Sequence, residues 1–170
     1  MMRVGIISGI LALRLGFSPR AALEAAWGGR LHDVGKLGPG ILPLILNPGA
    51  LEPEERRAVE THTTLGAEAL FHQGDIPPDM RIPVMRAALS HHENWDGTGY
   101  PQRLKGADIQ IEGRIVAAAD RLDALMEHRP YRAGLSLERA LQIVSGGAAA
   151  GLDPAVYSAL LDLVLKYENN

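Results

Sequence analysis

The 170-residue sequence predicts one all-helical domain, a single bundle of about six to seven helices. Three observations carry that prediction. Apolar residues recur at the helical spacing in almost every segment, with no strong run of strict apolar–polar alternation that would mark a strand. Helix start and stop signals punctuate the chain throughout. No linker, repeat or low-complexity run divides it, and a 46% apolar content is enough for one packed core.

Taken in order, Val4–Leu15 reads as a first helix stopped by Gly16. Ser18-Pro19 is a start signal, with serine as cap and proline at the first helical position, opening a helix from about Arg20 to Asp33 that Gly35 ends. Leu37–Leu51 carries three prolines and three glycines and is expected to be a loop with at most a short helical turn. Pro53-Glu54-Glu55 starts the next helix, its acids favoured by the helix dipole, and the pattern continues to about Gln73. Asp75–Pro78 reads as a turn, Pro83–Glu93 as helix and Asn94–Gly106 as loop. Glu112–Glu127 is an alanine-rich helix suited to close packing. Ser136 caps a helix to about Ser145, and Asp153-Pro154 opens the last one, ending near Tyr167.

Composition removes several function classes. Seventeen basic against twenty acidic residues leave a net charge of −3, with no general basic footprint for duplex nucleic acid. The longest apolar run, Val4–Leu13, is too short to span a bilayer and lacks the flanks of a secretory signal, so no membrane insertion is expected. There is no cysteine. That excludes disulfides and thiolate metal sites, and it fits a reducing compartment, so a cytoplasmic location is expected. Any metal site must then use nitrogen and oxygen donors.

The residues able to form such a site cluster at helix positions. His32-Asp33 closes an apolar helix. His62 sits among Thr61, Thr63 and Thr64, a run unfavourable inside a helix. His91-His92 ends another apolar run, and Asp120 follows four small apolar residues, where a desolvated carboxylate needs a cation. Neighbouring histidines on a helix diverge by about 100°. His91 and His92 therefore serve two metals, or one of them turns to solvent. Four of the six histidines and two aspartates fall where one site can gather them. Two metal ions roughly 3.5–4 Å apart, bridged by one carboxylate, are a known solution for in-line displacement at phosphorus.

In these residues the chain resembles the HD-GYP family, the branch of HD-domain phosphohydrolases that cleaves the bacterial messenger cyclic di-GMP. The matching pieces are Leu31–Lys36; Thr61-His62 with Leu65–Glu68; the block His91–Pro101; Arg114–Ala117 through Asp120 with Asp123–Leu125; Arg129–Arg132; and Leu152–Pro154. They keep family order over most of the chain.

The resemblance implies an HD-type bundle over residues 1–170 that hydrolyses cyclic di-GMP through a metal-bound hydroxide at a binuclear centre, the product being pGpG or, with a second cleavage, GMP. It implies His32, Asp33, His62, His91, His92 and Asp120 as ligands of two divalent ions, Fe or Mn, with Asp33 as bridge. Lys36 is implied beside the scissile phosphate, where its charge offsets charge developing in the transition state; the plainer alternative is a cation at a helix C-terminus. Arg129 and Arg132 are implied at the messenger's phosphate or guanine, where a planar fork pairs two oxygens; the alternative is a solvated surface pair. Tyr100 is implied as a pocket or substrate contact, and Asp123 as a ligand orienter or guanine contact. Partner expectations are cyclic di-GMP, fused sensory or receiver domains, diguanylate cyclase-type signalling proteins and a homodimer.

Two departures stand out. The family carries a histidine just before the motif matched by Arg3-Val4, and here that position precedes Met1, so the expectation is either a domain whose N-terminal edge lies upstream or a protein without this ligand, with one ion held more weakly and no third ion. The loop after Lys36, Gly38–Gly49, lacks the family's lysine. The competing expectation from another class is a catalytically impaired cyclic di-GMP receptor or protein-interaction module. A third keeps the enzyme and changes the nucleotide, for example to cyclic GMP-AMP.

Overall fold

The structure is a computed structural model that describes residues 1–47, 49–127, 134–136, 139–140, 143 and 151–165. Among these residues it is all-helical, with eight α-helices, two 3-10 turns and no strand. This is the expected all-helical bundle, with one expected helix divided in two and the short helical turn of the proline-rich segment formed as a six-residue helix.

Helix α1 (Met2–Arg14) ends as its sequence predicts. Gly16 takes φ +84°, its N–H bonds the Leu13 carbonyl at 3.1 Å, and the Phe17 N–H bonds the Ala12 carbonyl at 3.0 Å, a Schellman turn. Helix α2 (Pro19–Leu31) is capped by Ser18, whose Oγ accepts the Ala21 N–H at 3.2 Å. The two helices approach closely because glycines face each other: a Cβ at Gly29 would lie 2.6 Å from Ser8 Oγ, and one at Gly5 2.8 Å from the Ala26 carbonyl. The expected end of α2 at Asp33 is corrected to Leu31. A 3-10 turn, Val34–Leu37, follows.

Helix α3 (Ile41–Leu46) is the short helix inside the proline-rich segment. The single helix expected over Pro53–Gln73 is instead α4 (Pro53–Glu60) and α5 (His62–His72), broken at Thr61. The threonines explain the break: the hydroxyls of Thr61, Thr63 and Thr64 donate to the carbonyls of Ala58, Glu60 and Thr61, competing with the main-chain ladder. Helix α6 (Pro78–Ser90) begins a turn earlier than expected. Pro78 takes the first position, and Pro83, expected as the start, lies within the helix; its missing N–H orphans only the carbonyl of exposed Asp79.

Helices α7 (Ile111–Met126) and α8 (Pro154–Leu165) complete the described set. Asp153 starts α8 as predicted, its Oδ1 accepting the Ala155 N–H at 2.8 Å. Most of the helix expected over Ser136–Ser145 lies outside the described residues, as does the expected end near Tyr167.

Helices α1, α2, α6 and α7 form the central bundle, with α8 packed on α1 and α7. Its core is built from Val4 and Leu11 of α1, Ala22 and Ala25 of α2, Ile115–Ala119 of α7, and Val156 and Leu160 of α8. The alanines let α7 lie close to its neighbours. A second cluster, Leu70, Ile76, Met80, Val84 and Ala88, packs α5 on α6. Among the described residues no helix is long and apolar enough to cross a membrane.

Candidate metal centre

Glycines at three close approaches gather the site. Gly35 does not act as a simple helix stop. A Cβ there would lie 1.9 Å from the His62 carbonyl oxygen, and one on Gly66 would lie 3.1 Å from Gly35 N. Only bare backbone on both sides lets the Val34–Leu37 turn sit on the start of α5, which brings His62 to Asp33. His91 caps the C-terminus of α6, with His92 next. A Cβ on Gly113 would lie 2.0 Å from Ser90 Oγ, so α7 crosses against that same end of α6. Asp120 follows two turns later on α7 and faces His32.

The result is one cluster. Asp33 Oδ1 lies 3.4 Å from His62 Nε2 and 3.7 Å from His91 Nε2; Asp33 Oδ2 lies 3.3 Å from His32 Nε2 and 2.6 Å from Lys36 Nζ. His32 Nε2 is 3.5 Å from Asp120 Oδ1. Donor atoms of Asp33, His62, His91 and His92 all lie within 4.8 Å of one another. The six expected ligands are therefore brought together, and neither expected reading of the paired histidines holds: His91 is the C-cap of α6 and His92 lies beyond the helix, so the divergence of neighbours within a regular helix does not apply and both can join one group with Asp33 and His62.

Three of the rings are set in the same way. Nδ1 of His32, His62 and His91 faces the carbonyl three residues back, Gly29, Val59 and Ala88, at 2.8, 2.7 and 2.9 Å. A neutral ring that donates through Nδ1 carries its lone pair on Nε2. His62 and His91 then present bare nitrogens to each other 3.4 Å apart. His32 Nε2 and Asp33 Oδ1 are buried with no hydrogen-bond partner among the described residues. The bare nitrogens of His62 and His91 and the unpartnered Oδ1 of Asp33 meet at one point, and a divalent ion with nitrogen and oxygen preference fits that donor set. The cluster is a site capable of coordinating a metal ion.

Its electrostatics differ across its width. Burial opposes a proton on His32, but the carboxylates of Asp120 and Asp33 outweigh it and raise the ring from 6.5 to about 9. Burial lowers His62 to about 4, and it also lowers His91 and His92. Burial would raise Asp33, yet His32, His91 and Lys36 hold it far below the usual carboxylate range; His32 likewise holds Asp120 down against its burial.

The other expected site residues separate. Lys36 stands at the cluster on Asp33. Tyr100 stacks on His92, ring centroids 4.7 Å apart. Asp123 is buried and its Oδ1 accepts from Arg3 Nε of α1 at 2.5 Å. Arg129 and Arg132 lie outside the described residues.

Sequence reasoning assigned no role to Glu93. It is 2% exposed and accepts the N–H groups of Gln102 and Leu104 at 2.7 and 3.0 Å. Asp153 with Arg114, paired at 2.7 Å while Arg114 lies over the Trp95 ring, was also unassigned beyond its capping signal. The one clue to Glu93 was an acid placed directly after two site histidines.

Residues 2–156 match the HD domain family. This chain belongs to that family, in its HD-GYP-type branch. Among its relatives, the cyclic di-GMP phosphodiesterase of Thermotoga maritima is 39% identical over 163 residues, covering 95% of this chain and 43% of the relative. The 3′3′-cGAMP-specific phosphodiesterase 3 of Vibrio cholerae is 35% identical over 159 residues, covering 93% and 33%. This chain thus spans less than half the length of either. Among solved structures, Bd1817, an HDG"Y"P protein from Bdellovibrio bacteriovorus, shares the fold with a TM-score of 0.72 at 22% identity, over 96% of this chain and 50% of that one.

Proposed function

We propose that this HD domain is a metal-dependent phosphodiesterase that hydrolyses cyclic di-GMP to pGpG. The observation that carries the proposal is the division of Asp33: one carboxylate oxygen faces His62 and His91, the other His32 and Lys36. A carboxylate shared in this way suits a bridge between two cations. Asp33, His62, His91 and His92 would hold one, and His32, Asp33 and Asp120 the other; the nitrogen-and-oxygen shell suits a divalent ion, and the family likeness supports Fe or Mn. Bound cations would lower the pKa of a water and neutralise phosphate oxygens.

The chain's own groups supply the rest. The Nδ1 bonds hold the rings of His32, His62 and His91 with Nε2 aimed inward. Lys36, one-third exposed, holds a positive charge at the edge of the site, where an entering phosphate can take it from Asp33. The family likeness supports Arg129 and Arg132 as contacts to the messenger, and the name of the T. maritima relative supports cyclic di-GMP as the messenger.

The test is turnover by the purified chain with Mn²⁺ or Fe²⁺, with products separated by chromatography and 3′3′-cGAMP run in parallel. Cyclic di-GMP should yield pGpG, and Asp33→Ala should yield none. A near-normal rate for D33A overturns the assignment. Saturable binding of cyclic di-GMP without product at saturating metal replaces the enzyme with a receptor, and faster turnover of 3′3′-cGAMP replaces the substrate.

A further inference from the structure

One ligand of the cluster is held unlike the others. His32, His62 and His91 each have Nδ1 on a main-chain carbonyl. Among the described residues His92 makes no hydrogen bond to fix its ring. It lies instead against three rings: His91, centroids 4.1 Å apart, His62 edge-on at 5.1 Å, and Tyr100, stacked at 4.7 Å with an interplanar angle of 26°. The tyrosine ring is the flat wall that limits rotation of the imidazole.

Tyr100 is placed there by a loop folded onto its own start. The Tyr100 N–H donates to the His92 carbonyl at 3.1 Å. Gly99 permits this, since a Cβ there would lie 2.3 Å from Asn94 N and 2.4 Å from the His92 carbonyl oxygen. On the far side of Tyr100 the buried Glu93 grips the chain, Oε1 accepting the Gln102 N–H and Oε2 the Leu104 N–H. Bonds to a charged acceptor are among the stronger ones, and here the acceptor Glu93 is itself buried.

We propose that Tyr100 orients His92 for metal binding, and that Glu93 holds Tyr100 in place through its two main-chain bonds. Both are positioning residues. The proposal rests on His92 being a metal ligand, as proposed above, and it departs from the expectation that Tyr100 serves as a substrate contact. Stacking uses the ring face and needs no hydroxyl. A glutamine at position 93 would turn an NH₂ toward one of the two N–H donors, so one bond is lost.

The experiment is Mn²⁺ titration of the full chain by calorimetry, with His92→Ala marking the binding step that depends on His92. Tyr100→Ala, and Tyr100→Leu as a second variant that keeps volume without a flat face, should weaken that step about tenfold, the lower end of what an orienting partner is worth. Tyr100→Phe should stay within about twofold. Glu93→Gln should weaken the same step and speed hydrogen exchange at the Gln102 and Leu104 amides about tenfold, with α1 and α7 unchanged. Wild-type Mn²⁺ affinity in Y100A and Y100L, with only KM raised, overturns the proposal in favour of a substrate contact. If the wild type binds Mn²⁺ but hydrolyses nothing, the phosphodiesterase function fails while the metal results still decide this inference.

Discussion

The two halves of the metal centre are made of opposite chemistry. Around Asp33 Oδ2 and Asp120 the donors are carboxylates with one imidazole, His32, and that ring is pushed up to about 9. Around Asp33 Oδ1 the donors are three imidazoles, all pushed down by burial. The first half attracts a positive charge of any kind and without metal can keep a proton. The second half stays neutral and has only lone pairs to offer, so a metal ion is the charge that suits it. Asp33 alone belongs to both.

That asymmetry ranks the ligands. Asp33→Ala should cost the most, about 10³-fold or more in turnover, because it damages both halves. Asp120→Ala and His62→Ala each touch one half and should cost less. Mn²⁺ titration should show both binding steps weakened in D33A and mainly one in each of the others. Equal losses on both steps in H62A would show that the halves do not act separately.

The backbone that joins the halves is the next place to press. Gly35→Ala puts a Cβ 1.9 Å from the His62 carbonyl, a contact with backbone that cannot rotate aside. The turn carrying Asp33 must move off α5, at a cost of about 3 kcal/mol by analogy with overpacked cores. Gly40→Ala serves as control: φ is +77° but nothing lies within 4 Å, so only the conformational cost of about 1 kcal/mol applies. Urea melts of the metal-free chains measure both. If G35A melts like G40A, the close approach does not set the distance between Asp33 and His62.

What the sequence could reveal follows the range over which each cause acts. Ser18-Pro19, Gly16 and Asp153-Pro154 are local signals, and the helix ends they predict are present. The ligand residues were legible because their types and order carry the family likeness. The split at Thr61 was not, since a periodic pattern runs straight through it and only the back-bonding of three hydroxyls breaks the helix. Pro83 misled for a related reason: a proline near a helix start reads as the start, while Pro78 had already taken that position. The pairing of Asp123 with Arg3 joins residues on α1 and α7, far apart in the chain. Glu93's grip depends on a loop folding back on itself. No spacing rule reaches that far.

The smallest expected effect is on stability against pH, and it tests the contrast between the halves most directly. In the metal-free protein His32 has its pKa raised above the unfolded value, so its contribution is fully present below about 6.5 and is lost as pH rises toward 9. His62 is the reverse case. Its folded pKa near 4 means that the unfolded chain takes up protons first, so stability falls as pH drops from 6.5 toward 4, and His91 and His92 act in the same direction. Asp33 and Asp120, both depressed, add a further loss only below the ordinary carboxylate range near 3.8. Metal-free protein should therefore be most stable near pH 6.5, with a decline on the order of 2 kcal/mol by pH 9 that comes from the carboxylate-rich half. His32→Gln should flatten the alkaline limb and leave the acid limb in place. Saturating Mn²⁺ should flatten the alkaline limb as well, because the ion takes the proton's place beside Asp33 and Asp120. An alkaline decline that persists in H32Q would remove His32 as its source, and with it the electrostatic difference between the two halves.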